Sequence, residues 1–428
     1  MNNDNANNNK ANLPAGTNAK PTRNKALLPI FLVVAVDVLG LTFVLPLLPF
    51  YAERYGATPQ TVGFLVTAFA LCQLLAGPVL GQLSDRYGRR RLLIVSQVGT
   101  LIGFLILGVA NSLFLVFLSR IIDGITAGNL SLAQAYISDV TEPKDRAKSF
   151  GIIGIAFGLG FLIGPAVSGF LAGYSYRYPV YLASFLSFTS IMATTFYLPE
   201  VKPGHLQAGN PNAGPAAPGG KRLSLFSWGQ YVKYFKTPVL GGLLLEFMMF
   251  MLGFSLFISG FALFAERRFT LHGMPFGVRE VGYLYAFSGF MGLIVQGGLL
   301  GRLVKRFGER KLVMAGFLSM SFGYALLSGV HWIPAILIAS AFGSFGTGVL
   351  RPALTSLITQ SVGRHEQGLV LGLNQSLNSV AQIVAPVLSG FLINEGLLTL
   401  WPLAAASMGL IGLYFSWRSR AQRKAVFA

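Results

Sequence analysis

Long apolar runs separated by short polar gaps make up most of the chain from residue 26 onward. Each run is about 20 residues long, which is the length that an α-helix needs to cross the hydrocarbon core of a bilayer. The runs fall into two sets of six: 26–50, 59–81, 91–110, 113–138, 148–172 and 178–198, then 238–264, 280–301, 311–330, 332–357, 367–393 and 397–417. This pattern predicts an all-α membrane protein with twelve transmembrane helices in two six-helix halves.

The polar stretches outside the runs complete the predicted domain organisation. Residues 1–25 are polar and Asn-rich, so we expect a disordered tail before the first half, 26–198. Residues 199–237 have a Gly/Pro/Ala/Asn-rich middle that is typical of a flexible linker. The second half, 238–417, is followed by a short polar tail at 418–428.

The two halves carry repeated motifs. The loop at 81–91 reads GQLSDRYGRRR, and a diverged copy at 301–311 reads GRLVKRFGERK. The segment 164–171 is likewise echoed at 385–392, with nearly the same offset. Two like halves of six helices are a known transporter architecture, with a substrate cavity near the membrane midplane between them.

Composition and charge support a location in the membrane. Of the 428 residues, 53% are hydrophobic and only 11% are charged, whereas soluble proteins have roughly 25%. The net charge of +18 lies in the gaps between apolar runs, so we expect a lipid bilayer and no nucleic acid as partner. The predicted inner segments hold 26 Lys and Arg residues and the outer loops hold five, which predicts a multi-pass protein of the cell (inner) membrane with both termini cytoplasmic.

The sequence shows no enzyme signature and no sign of a cofactor. The single cysteine, Cys72, excludes a disulfide within the chain and any multi-cysteine metal site. There is no phosphate-binding glycine loop that ends in Lys-Ser/Thr, so direct coupling to ATP is not expected.

Several motifs, in the expected order, resemble those of the major facilitator superfamily. The loop after the second predicted helix resembles the family's G-x-L-x-D-R-x-G-R signature, at Gly81, Leu83, Asp85, Arg86, Gly88, Arg89 and Arg90. The fourth run has the Arg120-x-x-x-Gly124 pattern, and the fifth resembles an antiporter motif at Gly160, Gly164, Pro165 and Gly169, with Ser168 where a glycine is usual. Asp37-x-x-Gly40 resembles the first helix of the tetracycline efflux group among the drug/proton antiporters.

The resemblance implies a proton-coupled antiporter that exports a small organic, drug-like compound and has small-molecule substrate and protons as partners. The tetracycline antiporters carry further acids in their third and ninth helices, but 92–109 and 312–330 contain none here. The case for tetracycline itself is therefore weaker. We expect the chain to act as a monomer. A proton-coupled importer of a nutrient on the same fold, and a non-transporting membrane receptor or assembly protein, remain alternatives.

Acids inside the apolar runs are the candidates for proton chemistry, because a charge at bilayer depth costs about 2.5–3.5 kcal/mol or more. Asp37 lies about 16 Å into the first helix, near the midplane. Burial disfavours the charged form of a carboxylate, so we expect Asp37 to be the proton-carrying acid. Arg120 is expected to act with it, as the resemblance implies, and Asp123 is expected to pair with Arg120 on one helix face.

The remaining candidates divide into three groups. The glycine-hinged loop with Asp85, Arg86, Arg89 and Arg90 is expected to latch the cytoplasmic side shut with the help of Asp139. The fifth helix is expected to use its glycines to pack against the C-terminal half. A substrate cavity is expected at polar and charged residues of the fourth, seventh, tenth and eleventh helices: Asn129, Gln134, Glu246, Arg351, Asn374, Asn378 and Gln382. Arg351 is a possible partner of Glu246.

Overall fold

The computed structural model describes residues 20–141, 146–200, 234–363 and 367–426. Within these ranges the elements are helices and one short antiparallel hairpin, β1 (Thr270–Leu271) and β2 (Met274–Pro275). The first half contains α1 (Lys20–Glu53), α2 (Pro59–Tyr87), α3 (Arg89–Val109), α4 (Leu113–Thr126), α5 (Asn129–Val140), α6 (Arg146–Ala172) and α7 (Arg177–Tyr197). The second half contains α8 (Pro238–Arg268), α9 (Val278–Ile294), a π-helical segment (Val295–Leu299), α10 (Leu300–Phe307), α11 (Glu309–Leu326), α12 (Ile333–Gln360), α13 (Gln367–Asn394) and α14 (Leu400–Val426).

These helices give twelve crossings in the described part of the chain. Eleven segments are long and apolar enough to span a bilayer, with α4 and α5 forming one of them and α9 with α10 another. The twelfth is α11, which begins with the three charged residues Glu309, Arg310 and Lys311 and continues as an apolar helix. The predicted fold class is confirmed.

Two boundaries differ from the expectation. Helix α1 begins at Lys20, inside the predicted tail, and α14 continues to Val426 through most of the predicted tail at 418–428. Extending a formed helix costs much less than starting one, and the Arg, Ala, Gln and Lys residues after position 417 are good helix formers. Residues 1–19 and most of the predicted linker, 201–233, lie outside the described residues.

The fourth predicted crossing is broken, although the apolar pattern predicts one continuous helix. Helix α4 ends at Thr126 and α5 begins at Asn129. Ser96 of α3 bridges the gap, because its hydroxyl donates to the Thr126 carbonyl and accepts from the Gly128 N–H at 3.0 Å. A side chain from a neighbouring helix thus replaces the helical hydrogen bonds at this point.

The repeated loops have the same geometry in both halves. Gly88 has φ = 100° and Gly308 has φ = 78°, values that favour glycine because a Cβ would be strained there. Each glycine immediately precedes a helix, α3 or α11. The sequence repeat is therefore also a structural repeat.

The halves are packed together at the end of the molecule that bears the loops at 54–58, 173–176 and 269–277, which we call the distal end. There Glu53 of α1 forms an ion pair with Arg267 of α8 at 2.5 Å, and the Thr67 hydroxyl of α2 donates to the Ile383 carbonyl of α13. Helices α6 and α9 also touch from this end to the middle of the molecule.

The other end, which bears the loops at 88 and 308, we call the basic end. Toward it the helices that touch distally have open space beside them: a Cβ at Gly77 or Gly81 of α2, or at Gly297 or Gly301 after α9, would meet no atom of a described residue within 4 Å. The described state is therefore closed at the distal end and parts toward the basic end.

Candidate functional site

Asp37 is held by the broken fourth crossing. Its half-buried carboxylate accepts a hydrogen bond from the Asn129 amide, Nδ2 to Oδ1, at 2.5 Å. Asn129 is the first residue of α5, and the N-terminus of a helix favours a nearby negative charge. The break between α4 and α5 thus places both an amide donor and a helix terminus against an acid at membrane depth.

The polar contacts continue from Asn129 toward Arg120. The Asn129 amide also approaches the Thr100 hydroxyl of α3 at 3.4 Å. One helical turn further along α3, Asp123 of α4 packs against Gly103. Asp123 forms the expected ion pair with Arg120, with 3.3 Å between Oδ2 and Nη1. These polar residues lie close together between α1, α3, α4 and α5 and form a cluster that we call the acid network: Asp37, Asn129, Thr100, Asp123 and Arg120.

The acid network differs from the sequence interpretation in two respects. Asn129 was expected to line a substrate cavity, but it is buried and binds Asp37 instead, because the helix break turns its side chain toward α1. Arg120 does not bond Asp37 directly; its guanidinium pairs with Asp123 and lies over the Phe104 ring at 5.9 Å. Thr100 was not identified from the sequence, since a lone threonine in an apolar run gives no signal.

The expected cluster in the first repeated loop is formed around Arg89. Its guanidinium contacts Asp85 at 2.6 Å and Asp139 of α5 at 2.8 Å, and it also donates to the Ser84 hydroxyl. Arg90 donates to the Thr194 and Thr195 carbonyls at the end of α7. Arg86 has an exposed side chain and lies over the Tyr87 ring. Gly81 leaves open space beside α2.

The glycines of α6 serve two partners rather than one. Gly160 and Gly164 face Val38 and Thr42 of α1, in the same half, where a Cβ would collide with either side chain. Gly169 and Pro165 face α9 of the other half: the Pro165 carbonyl lies against Gly282. The expectation that this motif packs against the C-terminal half is therefore correct only for its distal part. The Ser168 hydroxyl donates to the Phe43 carbonyl of α1 at 2.6 Å.

Glu246 has a different partner from the one considered in the sequence. Its carboxylate is fully buried and binds Arg310 at 3.0 Å, not Arg351. Arg310 comes from the second repeated loop, which the fold brings to the first third of α8. Because the Glu246 side chain is enclosed by protein, it does not line an open cavity, and that expectation is wrong.

The other expected cavity residues are unequally exposed. Asn374 is buried, and neither atom of its amide has a hydrogen-bond partner among the described residues, so it does not face open space. Asn378 and Gln382 of the same helix are half-buried, Gln134 of α5 is exposed, and Arg351 of α12 is exposed. The phenylalanines of α8 pack inside the C-terminal half, where Phe257 stacks on Tyr324 at 4.5 Å between ring centroids.

Comparison with known proteins identifies the family. The family model of the Major Facilitator Superfamily matches residues 30–303 and 297–426. The chain is 28% identical over 391 residues to a tetracycline resistance protein, class B, of Escherichia coli, covering 90% of this chain and 91% of that protein. It is 26% identical over 397 residues to multidrug resistance protein 2 of Bacillus subtilis (strain 168), covering 90% and 94%.

A solved structure shares the fold. The human organic anion transporter MFSD10 (TETRAN) superposes with a TM-score of 0.68 at 22% identity, covering 93% of this chain and all of that one. With the family model matching nearly the whole span from residue 30 to residue 426, this multi-pass membrane protein belongs to the Major Facilitator Superfamily of transporters.

Proposed function

We propose that this transporter is a proton-coupled antiporter that exports small organic, drug-like compounds across the inner membrane by alternating access. The observation that carries the proposal is the acid network, which links a half-buried carboxylate at membrane depth to a buried arginine on another helix. A charged carboxylate at membrane depth costs free energy, so such an acid usually has a functional role. Through the acid network, a change in the charge of Asp37 affects residues on the neighbouring helices. The tetracycline and multidrug resistance names of the relatives support a drug-like substrate.

Proton binding at Asp37 is opposed and favoured by different neighbours. The Asn129 amide and the N-terminus of α5 stabilise the charged carboxylate, whereas its position at membrane depth disfavours a charge. When Asp37 takes up a proton, its hydrogen bond from Asn129 weakens. Asn129 can then turn toward Thr100, which alters the environment of the Asp123–Arg120 pair. Protonation would thus favour one arrangement of the helices over the other.

The orientation of the chain in the membrane determines which side of the membrane the described state opens to. The excess of Lys and Arg at the basic end supports a cytoplasmic location for that end and for both termini. The described state is then open to the cytoplasm, ready to take up a compound for export. The Asp85–Arg89–Asp139 cluster is already formed in this state and joins α2, α3 and α5 of one half. We infer that it keeps the cytoplasmic ends of these helices together as one unit, and that a latch on the closed cytoplasmic side would add contacts from this unit to the other half.

The test is Asp37→Asn, which keeps the size and polarity of the side chain but cannot carry a proton. In an efflux-deficient host and in inverted vesicles, we expect this variant to lose proton-driven export and substrate-dependent proton movement. Glu395→Gln is the matched control, because Glu395 is an exposed acid in the loop before α14. Full proton-driven transport by Asp37→Asn would reject the proposal.

The same vesicles separate the two alternatives. An importer would move its substrate in the same direction as protons, whereas an antiporter moves it in the opposite direction. A receptor or assembly protein would show no substrate-dependent proton flux in the wild type.

A further inference from the structure

Arg351 lies on a polar face of α12 that is turned away from the apolar outer surface. Four polar residues of this helix are spaced by three, four and four residues, so they lie on one side of it: Ser344, Thr347, Arg351 and Thr355. The exposed apolar residues Ile338 and Phe342 lie on the opposite side at 100° per residue. Exposed apolar residues of a membrane-spanning helix are typical of a lipid-facing side, so the polar face is turned away from the lipid, and Arg351 is itself exposed there.

Arg351 has no counter-ion in the part of the chain that the structure describes. None of the described acids lies within ion-pair distance of its guanidinium, and none of the described residues accepts a hydrogen bond from it. Among the described acids of this half, the two nearest the basic end are engaged elsewhere: Glu246 binds Arg310, and Glu309 accepts from Ser356 and Gln360. An unpaired cation at this depth is expensive unless it faces water or a ligand.

The π-helical segment after α9 adds a second polar group beside this face. It places Val295 and Gln296 against Gly348 of α12, where the Gln296 Cγ would lie 4.0 Å from a Cβ at that position. Gln296 is exposed, and Gly348 is one helical turn from Arg351. Segments of π-helix inside transmembrane helices are frequent at functional sites.

The repeat shows that neither the charge of Arg351 nor that of Asp37 is shared between the halves. Helices α4 and α12 begin at Leu113 and Ile333, an offset of 220 residues. With the same offset, Arg351 matches Ser131, close to Asn129 of the acid network, and Asp37 matches Phe257. Arg351 and Asp37 are therefore each specific to one half, and the cation belongs to the C-terminal half.

We propose that Arg351, with Gln296 beside it, is a recognition site for an anionic oxygen group of the substrate, so that the exported compounds include organic anions such as carboxylates. This inference rests on the proposed export function. The Thr347 and Thr355 hydroxyls donate to carbonyls of their own helix. The guanidinium is therefore the principal donor for the ligand, and a planar guanidinium suits a carboxylate because it can donate two parallel hydrogen bonds.

The test is equilibrium binding of two dyes that differ only in this group. Purified full-length protein in nanodiscs is titrated into rhodamine 110, which has a free carboxylate, and into rhodamine 123, its methyl ester, with fluorescence anisotropy as the readout. A charge-assisted hydrogen bond contributes about 1.5–3 kcal/mol, so we expect the wild type to prefer the acid about tenfold or more. Arg351→Gln should remove the preference, and Arg351→Lys should keep part of it.

Arg279→Gln is the matched control, because Arg279 is an arginine at the distal end that lies over the Tyr283 ring, and it should keep the full preference. Equal affinity of the wild type for both dyes, including no binding of either, would overturn the inference. So would a preference that survives Arg351→Gln.

Failure of the export function is distinguishable from failure of this inference. Asp37→Asn should retain the preference for the acid in the binding assay while it loses proton-driven transport in vesicles. Selective binding of the acid by a wild type that shows no proton-dependent flux would reject antiport and leave the binding site in place.

Discussion

Glu246 depends on Arg310 because its carboxylate is fully buried inside the C-terminal half. Breaking a buried ion pair by removing one partner leaves an uncompensated charge, which costs about 3–5 kcal/mol. Arg310 is partly exposed, so the effect should lie near the lower value. We expect Arg310→Ala to lower the thermal stability of the purified protein clearly, as measured by its unfolding temperature in detergent.

The double variant Arg310→Ala with Glu246→Gln should recover most of this loss, because the neutral amide has no charge to compensate. Arg306→Ala is the control, since Arg306 is an exposed arginine of the same loop. An equal loss for Arg306→Ala, or no recovery in the double variant, would show that the pair does not stabilise the fold in this way.

Among single residues, the sequence identifies acids more easily than their partners. Asp37 stands out because it is an acid in an apolar run, but its donor Asn129 is 92 residues away. In the same way, Glu246 is recognisable as an intramembrane acid, whereas Arg310 looks like one more positive charge in a basic loop. Such pairings depend on how the helices pack, which local pattern does not determine.

At the scale of elements, the length of the apolar runs predicts the membrane-spanning helices but does not predict where two of them are interrupted. The break between α4 and α5 depends on Ser96, a residue of another helix, and Gly128 alone would not have indicated it. The glycines of the π-helical segment, Gly297 and Gly298, likewise could belong to an ordinary helix. Both interruptions lie beside candidate sites, which is where local rules are most often broken.

Helix α9 gives a sharp test of the packing between the halves. A Cβ at Gly282 would lie 2.5 Å from the Pro165 carbonyl oxygen of α6, which is closer than real contacts allow, so one helix must shift. We expect Gly282→Ala to open the distal end and favour the opposite state of the transport cycle. Gly292→Ala on the same helix is the control, because a Cβ there would lie more than 4 Å from every described neighbour.

The shift can be measured by double electron–electron resonance, which gives the distribution of distances between two spin labels, one in each half. Suitable positions are Tyr174→Cys and Met274→Cys, whose side chains are 72% and 68% exposed at the distal end, in a Cys72→Ser background. Gly282→Ala should add a longer distance to the distribution. A distribution identical to that of Gly292→Ala would contradict the packing argument.

At the scale of the whole molecule, α6 connects the acid network to the interface between the halves. One set of its small residues, Gly160 and Gly164, packs on α1 beside Asp37, and another, Pro165 and Gly169, packs on α9. A movement of α1 on protonation would therefore be passed to the other half through a helix with little side-chain bulk. The sequence motif indicates close packing here, but only the fold shows which helices are joined.

The distal end is held closed by charges from both halves. Arg267 of α8 binds Glu53 of α1 at 2.5 Å and its own neighbour Glu266 at 3.0 Å, and the two carboxylates also approach each other. Without Arg267 these acids would repel one another across the interface. Ion pairs with partly exposed side chains contribute up to about 1 kcal/mol, which corresponds to about a fivefold change in a two-state population.

We therefore expect Arg267→Ala to increase the distally open population by up to about fivefold, with the same spin-label pair as readout. Arg268→Ala is the matched control, because that neighbouring arginine contacts the Ser328 carbonyl and His331 within its own half. The effect of Arg267→Ala should shrink at high salt, where the repulsion between Glu53 and Glu266 is screened. If Arg268→Ala shifts the distances equally, the shift is not specific to the charge bridge between the halves. If neither variant shifts them, the apolar and glycine contacts of α6 with α9 are sufficient to hold the distal end shut.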